Sequence, residues 1–197
     1  MDSTMKTALA IRRRQSGFSL LEVMIAMVVL TIGLLGVLAS LEVAMAATQT
    51  SQEDLLARQV ASEAMESIFN ARDTSQLGWS AIANTTNPPG IFVTGALPLL
   101  CAGPDGIIGT ADDASCLTAS GAVCPNAGVE CLTEPGPDGI LGTADDVIVS
   151  LNNFTRTITI TPYSQTLNLV TITIVYTVPN LGHTKTYVLS EYVSYYH

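Results

Sequence analysis

With 197 residues, the chain accommodates one modest domain plus an anchor but not two large domains. Apolar residues supply 48% of it and charged residues 13%, which excludes general disorder and leaves enough apolar material to bury a core. The formal charge of -9 excludes a nucleic-acid groove, because Lys6, Arg12, Arg13 and Arg14 precede Gly17 and only Arg58, Arg72, Arg156 and Lys185 follow it.

Residues 1–17 form a short basic leader ending in Arg-Arg-Arg-Gln-Ser-Gly, and an apolar run from Phe18 to Leu41 follows. A membrane-spanning helix needs about twenty apolar residues, and Val23 to Leu41 carries no charge at all. Positive charge stays on the cytoplasmic side, so the chain is expected to be single-pass in a bacterial inner membrane, its C-terminal part outside the cytoplasm. Three plainer readings compete: a secretory signal cut after Ala44-Met45-Ala46, a twin-arginine signal at Arg13-Arg14, and an uncut signal anchor. A secretory apolar region runs to only about 7–15 residues and holds no carboxylate near its start. The anchor reading leaves Glu22 unexplained. A carboxylate in a membrane helix costs about 2.5–3.5 kcal/mol on insertion scales and calls for a partner. Cleavage between Gly17 and Phe18 would create one, since the new Phe18 amine lies one turn from Glu22, in its own chain or a neighbour's.

Gly17-Phe18-Ser19-Leu20-Leu21-Glu22-Val23 resembles the processing site of type IV prepilins and type II secretion pseudopilins. The resemblance implies a prepilin peptidase that cuts after Gly17 and N-methylates Phe18, with Glu22 assisting assembly. Met24 to Leu30 followed by Thr31-Ile32-Gly33-Leu34-Leu35-Gly36 is most similar to PilV-type minor pilins. It implies as partners other pilin or pseudopilin subunits, the peptidase, an inner-membrane assembly platform and the membrane itself, with no nucleic acid.

From Glu42 to Asp73 no Pro or Gly intervenes, so residues 18–41 (the transmembrane, filament-core part) and 42–73 (the periplasmic part) are expected to form one helix. Leu56, Val60, Ala61, Ala64, Met65, Ile68 and Phe69 recur at three- and four-residue spacing, a stripe suited to packing on its own domain or on neighbouring subunits. Residues 74–146 read as a connector with a short strand at Ile91 to Thr94, Trp79 as a packing residue, and Asn84-Thr85-Thr86 as a triplet with N-glycosylation spacing.

Cys101, Cys116, Cys124 and Cys131 form an even, clustered set behind an export-like N-terminus, which reads as disulfides. Three pairings are open; the shortest loops join Cys101 to Cys116 and Cys124 to Cys131. Zinc is the rival, without a C-x-x-C pair or a nearby histidine. Gly103 to Asp113 is repeated from Gly136 to Asp146, with Leu141 replacing Ile108 as the only change. Each copy gathers three carboxylates: Asp138, Asp145 and Asp146 in the second, Asp105, Asp112 and Asp113 in the first. Hard cations bind such oxygen-rich loops, so calcium is the candidate ligand, although EF-hand spacing is not met and a surface Asx-turn pair is the plain alternative. The composition also resembles the acidic, Gly-rich calcium loop of major pseudopilins. No cofactor is otherwise required.

Val147 to Leu151, Thr155 to Thr161, Leu167 to Val178 and Thr184 to Tyr195 are rich in Val, Ile, Thr and Tyr, with turns at Tyr163 to Gln165 and Pro179 to Gly182. Residues 147–197 are therefore expected to form an antiparallel sheet that covers the helix stripe. The fold class is α+β and pilin-like, a long N-terminal helix packed on a small antiparallel sheet. No G-x-S-x-G or H-E-x-x-H occurs and only two histidines are present, so an enzyme is not expected. The expected function is that of a structural subunit, a minor pilin. The alternatives are a minor pseudopilin of a type II secretion system and an uncut membrane-anchored calcium-binding or adhesive module.

Overall fold

The computed structural model describes residues 19–118, 120–178 and 182–196. The Gly17–Phe18 cleavage site and most of the turn expected at Pro179 to Gly182 lie outside the described residues. Two compact units, Met1–Met45 and Ala46–His197, divide the chain. One helix, α1 (Leu20–Asp73), runs through the boundary, as an unbroken stretch without proline allows. The carbonyl of Ser19 accepts the first backbone bonds, from the Glu22 and Val23 amides at 3.0 and 3.2 Å.

In the second unit the remaining strands are β1 (Leu97–Pro98), β2 (Cys131–Glu134), β3 (Val147–Ser150), β4 (Phe154–Ser164), β5 (Leu167–Thr177) and β6 (Thr184–Ser194). They form a four-stranded antiparallel sheet ordered β1-β4-β5-β6 and a separate two-stranded sheet of β2 and β3. β3 therefore departs from the single expected sheet. Its partner is the strand at Cys131–Glu134, which lies in the segment read as connector. The segment 91–94 supplies only an isolated bridge, Asn84 to Phe92, and the short edge strand sits instead at Leu97–Pro98.

Alternation sets the inward face of the large sheet. Phe154, Arg156, Ile158 and Ile160 on β4 stand opposite Tyr176, Ile174, Ile172 and Val170 on β5, and all are buried. Helix α1 presents Ala57, Val60, Ala61, Ala64, Met65, Ile68 and Ala71 to the same core. Leu56 and Phe69 flank the stripe, partly buried. Polar links fasten its edges: Tyr176 Oη donates to Asp54 Oδ1, Lys185 Nζ lies 3.2 Å from Asp54 Oδ2, and the Arg72 guanidinium donates to the Ser194 carbonyl at 3.3 Å.

β1 covers only Thr155 and Arg156 of the β4 edge. Further along, the Asn84 side chain takes over, donating to the Ile158 carbonyl at 2.8 Å and accepting from the Ile160 amide at 2.7 Å. Asn84 is 5% exposed, so the amide that sequence spacing marks as a glycosylation acceptor is consumed inside the fold. Trp79 donates to the Gln165 carbonyl at 3.1 Å and meets Tyr195 edge-on at 5.8 Å, a packing residue at the sheet end.

Candidate functional site

Glu22 lies in the first turn of α1, where the helix dipole favours a carboxylate, and it is exposed. Every residue from Ser19 to Met45 is exposed, among them Leu20 at 79%, Leu30 at 69% and Leu38 at 53%. This contrasts with the same helix from Ala57 to Ala71, which buries its stripe. Such an apolar surface, free of charge from Val23 to Leu41, suits hydrocarbon or other apolar helices and is costly in water. Among the described residues α1 is the one helix long and apolar enough to cross a membrane.

The second candidate region is the duplicated loop pair. Both disulfides of the shortest-loop pairing are present, Cys101–Cys116 with Cα atoms 5.1 Å apart and Cys124–Cys131 at 5.8 Å. The first closes around copy one. At the neck of that copy Cys101 and Ala114 exchange backbone hydrogen bonds of 3.1 and 2.9 Å, and at the neck of copy two Glu134 pairs with Val147 in the β2–β3 ladder. The loops themselves share one internal design. Asp105 Oδ1 accepts from the Ile107 amide and Asp138 Oδ1 from the Ile140 amide, both at 2.8 Å. Thr110 Oγ1 sits 2.6 Å from Asp112 Oδ1, as Thr143 Oγ1 does from Asp145 Oδ1. The Gly109 amide donates to Asp113 Oδ2 at 2.9 Å and the Gly142 amide to Asp146 Oδ2 at 2.7 Å. Gly109 and Gly142 hold φ of 88° and 91°, a left-handed conformation that glycine adopts without strain. At Gly103 and Gly136 a side chain would run into the carbonyls of Asp112 and Asp145.

Within the loops these carboxylates meet the loop's own amide and hydroxyl donors. In copy one Asp105 Oδ2, Asp112 Oδ1 and Asp113 Oδ1 all lie within 3.4 Å of the Thr110 hydroxyl. That hydroxyl holds the Asp112 carboxyl below its ordinary value, and Thr143 does the same for Asp145. Among the described residues no three His, Cys, Asp or Glu side chains are arranged to hold a metal ion.

The two copies differ in what surrounds them. Ile107 and Ile108 are 1% and 5% exposed, members of the main core, whereas Ile140 and Leu141 are 60% and 62% exposed. Copy one is also tied by charge, with Arg156 Nη2 3.8 Å from Asp113 Oδ2 and 3.2 Å from the Leu100 carbonyl. Arg156 is 3% exposed. Burial lowers its affinity for a proton, while Asp113, Glu130 and Glu63 act in the opposite sense. Burial likewise raises the Asp113 and Glu130 carboxyls. Sequence reasoning passed over this cluster, although strand alternation places Arg156 on the inward face, where a cation needs an acid.

Residues 12–38 match the family model described as the prokaryotic N-terminal methylation motif, which is type IV prepilin-like. No curated protein and no solved structure matches the chain. The motif spans the end of the basic leader, the Gly17–Phe18 junction, Glu22 and the exposed apolar start of α1.

Proposed function

We propose that the chain is a structural subunit, a minor pilin, of a type IV pilus-like filament, anchored in the inner membrane before assembly. The observation that supports this reading is the coincidence, within residues 12–38, of the methylation motif with an apolar helix exposed on all sides and a carboxylate in its first turn. Prepilin peptidase hydrolyses the Gly17–Phe18 amide, leaving a carboxylate on the leader and an amine on Phe18. Methylation of that amine preserves its positive charge. The Phe18 ammonium, of its own or a neighbouring subunit, then neutralises Glu22 at the apolar end of α1. In the membrane the first half of the helix is solvated by lipid, and in the filament by equivalent helices. Packing and charge pairing therefore set the register. The second unit, its core completed by its own sheet, keeps its fold through the transfer.

Phe18 and Glu22 carry this reading, and N-terminal sequencing of mature protein from membranes or sheared filaments tests the first of them. A methylated Phe18 terminus is expected. An intact Met1 would instead favour an uncut anchor, and a start at Ala47 a secretory signal. For Glu22→Ala, cleavage is expected to remain at the parental level while filament incorporation falls at least about tenfold, since tenfold corresponds to only about 1.4 kcal/mol. Unchanged incorporation of that variant would count against the charge pairing.

A further inference from the structure

The duplicated loop supplies an internal reference for what its sequence does when it is docked. Copy one inserts Ile107 and Ile108 into a core that also holds Phe92 and Ile158, accepts the Val93 amide at the Gly109 carbonyl (2.9 Å), and sets Asp113 against Arg156. Copy two matches it in the φ of its two positive-φ glycines and in the Asp–amide, Thr–Asp and Gly–Asp hydrogen bonds, and carries the same kind of side chains at the same places. It forms the tip between β2 and β3, and its Ile140 and Leu141 remain in solvent, followed along the hairpin by Val147 and Ile148 at 52% and 42% exposure.

We infer that the hairpin tip 135–146 is a preformed docking knob for a second protein. It would place Ile140 and Leu141 in an aliphatic or aromatic recess and the Asp146 carboxylate against a guanidinium or ammonium at its rim. The seat of copy one defines that partner's chemistry. A second copy of this chain does not meet it, because its own seat of this kind is filled by copy one. Among the described residues its cations are also engaged: Arg156 by Asp113, Arg72 by Asp73, Lys185 by Asp54, and Arg58 over the Tyr187 ring. An anionic lipid surface fits no better, since Asp138, Asp145 and Asp146 share this short acidic loop with the two apolar residues. Single exposed apolar residues are ordinary on a protein surface. An adjacent pair held in a rigid, internally bonded loop whose duplicate buries the same pair is not. The inference is independent of leader processing and would stand for an uncut anchor.

The test is a photo-crosslinking side chain at the exposed Ala144 of the full-length protein in its membrane, with the duplicate position Ala111 as the control. Expected is a single protein adduct from position 144, mapped to an apolar recess bearing Arg or Lys. Ile140→Ser with Leu141→Ser should reduce its yield at least about tenfold, with the melting temperature unchanged. Adducts between two copies of the chain, adducts with lipid alone, or yields at 144 no greater than at 111 would overturn the proposal. So would an adduct insensitive to the serine pair, or unfolding by that pair, which would make Ile140 and Leu141 core residues.

Discussion

Copy one and copy two of the Gly/Asp-rich segment are nearly the same peptide in two different settings. In both, Pro-Asp-Gly turns, glycines at positive φ and Thr–Asp hydrogen bonds build one loop, so its shape is local. Their burial is not local. Copy one lies beside Phe92, Ile158 and Arg156 and becomes part of the core, while copy two caps a two-stranded hairpin and keeps its Ile and Leu in solvent. The loop thus acts as a rigid carrier whose energetic role depends on the surface it meets.

The comparison breaks most severely at Arg156. Arg156→Ala leaves Asp113 and Glu130 without their cation in a desolvated setting, and a loss of about 3–5 kcal/mol in chemical denaturation is expected. Ile107→Ala is expected to cost about 2–5 kcal/mol, because Ile107 is 1% exposed and the neighbours cannot collapse fully into the space. The matching Ile140→Ala in copy two should stay within about 0.5 kcal/mol, as for an exposed site. Equal losses at the two positions would mean that copy two is also docked.

A smaller effect concerns pH. Burial raises the Glu130 carboxyl above its ordinary value of 4.5, so the folded state favours the protonated form. The stability linked to this group is therefore complete in acid and is lost as pH rises through its folded-state titration. Glu130→Gln should melt a few degrees above the parent at pH 7, with the difference closing as pH falls below 4.5. The smallest expected effect is that of calcium. The loop carboxylates already accept hydrogen bonds from the loops' own amides and threonines, so a chelator should leave the melting temperature unchanged. A calcium-dependent rise would support the cation reading, with copy two, whose loop is open to solvent, as its place.

Much of the fold was legible because its signals are periodic. The stripe from Val60 to Ile68 has helical spacing, the alternation in β4 and β5 has period two, and both meet in the core. The strand at Cys131–Glu134 is not legible because four residues beside prolines and glycines carry too short a pattern to read. The sheet that β3 joins is not legible for a related reason, since strand character does not specify a partner. Asn84 shows the reverse case. Its local triplet has a plausible surface meaning, yet the gap left by the short β1 draws its amide onto the β4 edge.

Sequence by itself determined the features that depend on neighbours along the chain: the charge asymmetry of the leader, the uncharged apolar run after Glu22, the methylation motif, the helix stripe and the internal build of each Asp-rich loop. Tertiary structure alone decided which loop is buried, which acid Arg156 meets and which strand β3 joins. The physical reason is one of range. Dihedral preference, helical period and turn chemistry act over a few residues, whereas burial and ion pairing depend on groups well separated along the chain and brought together by the fold.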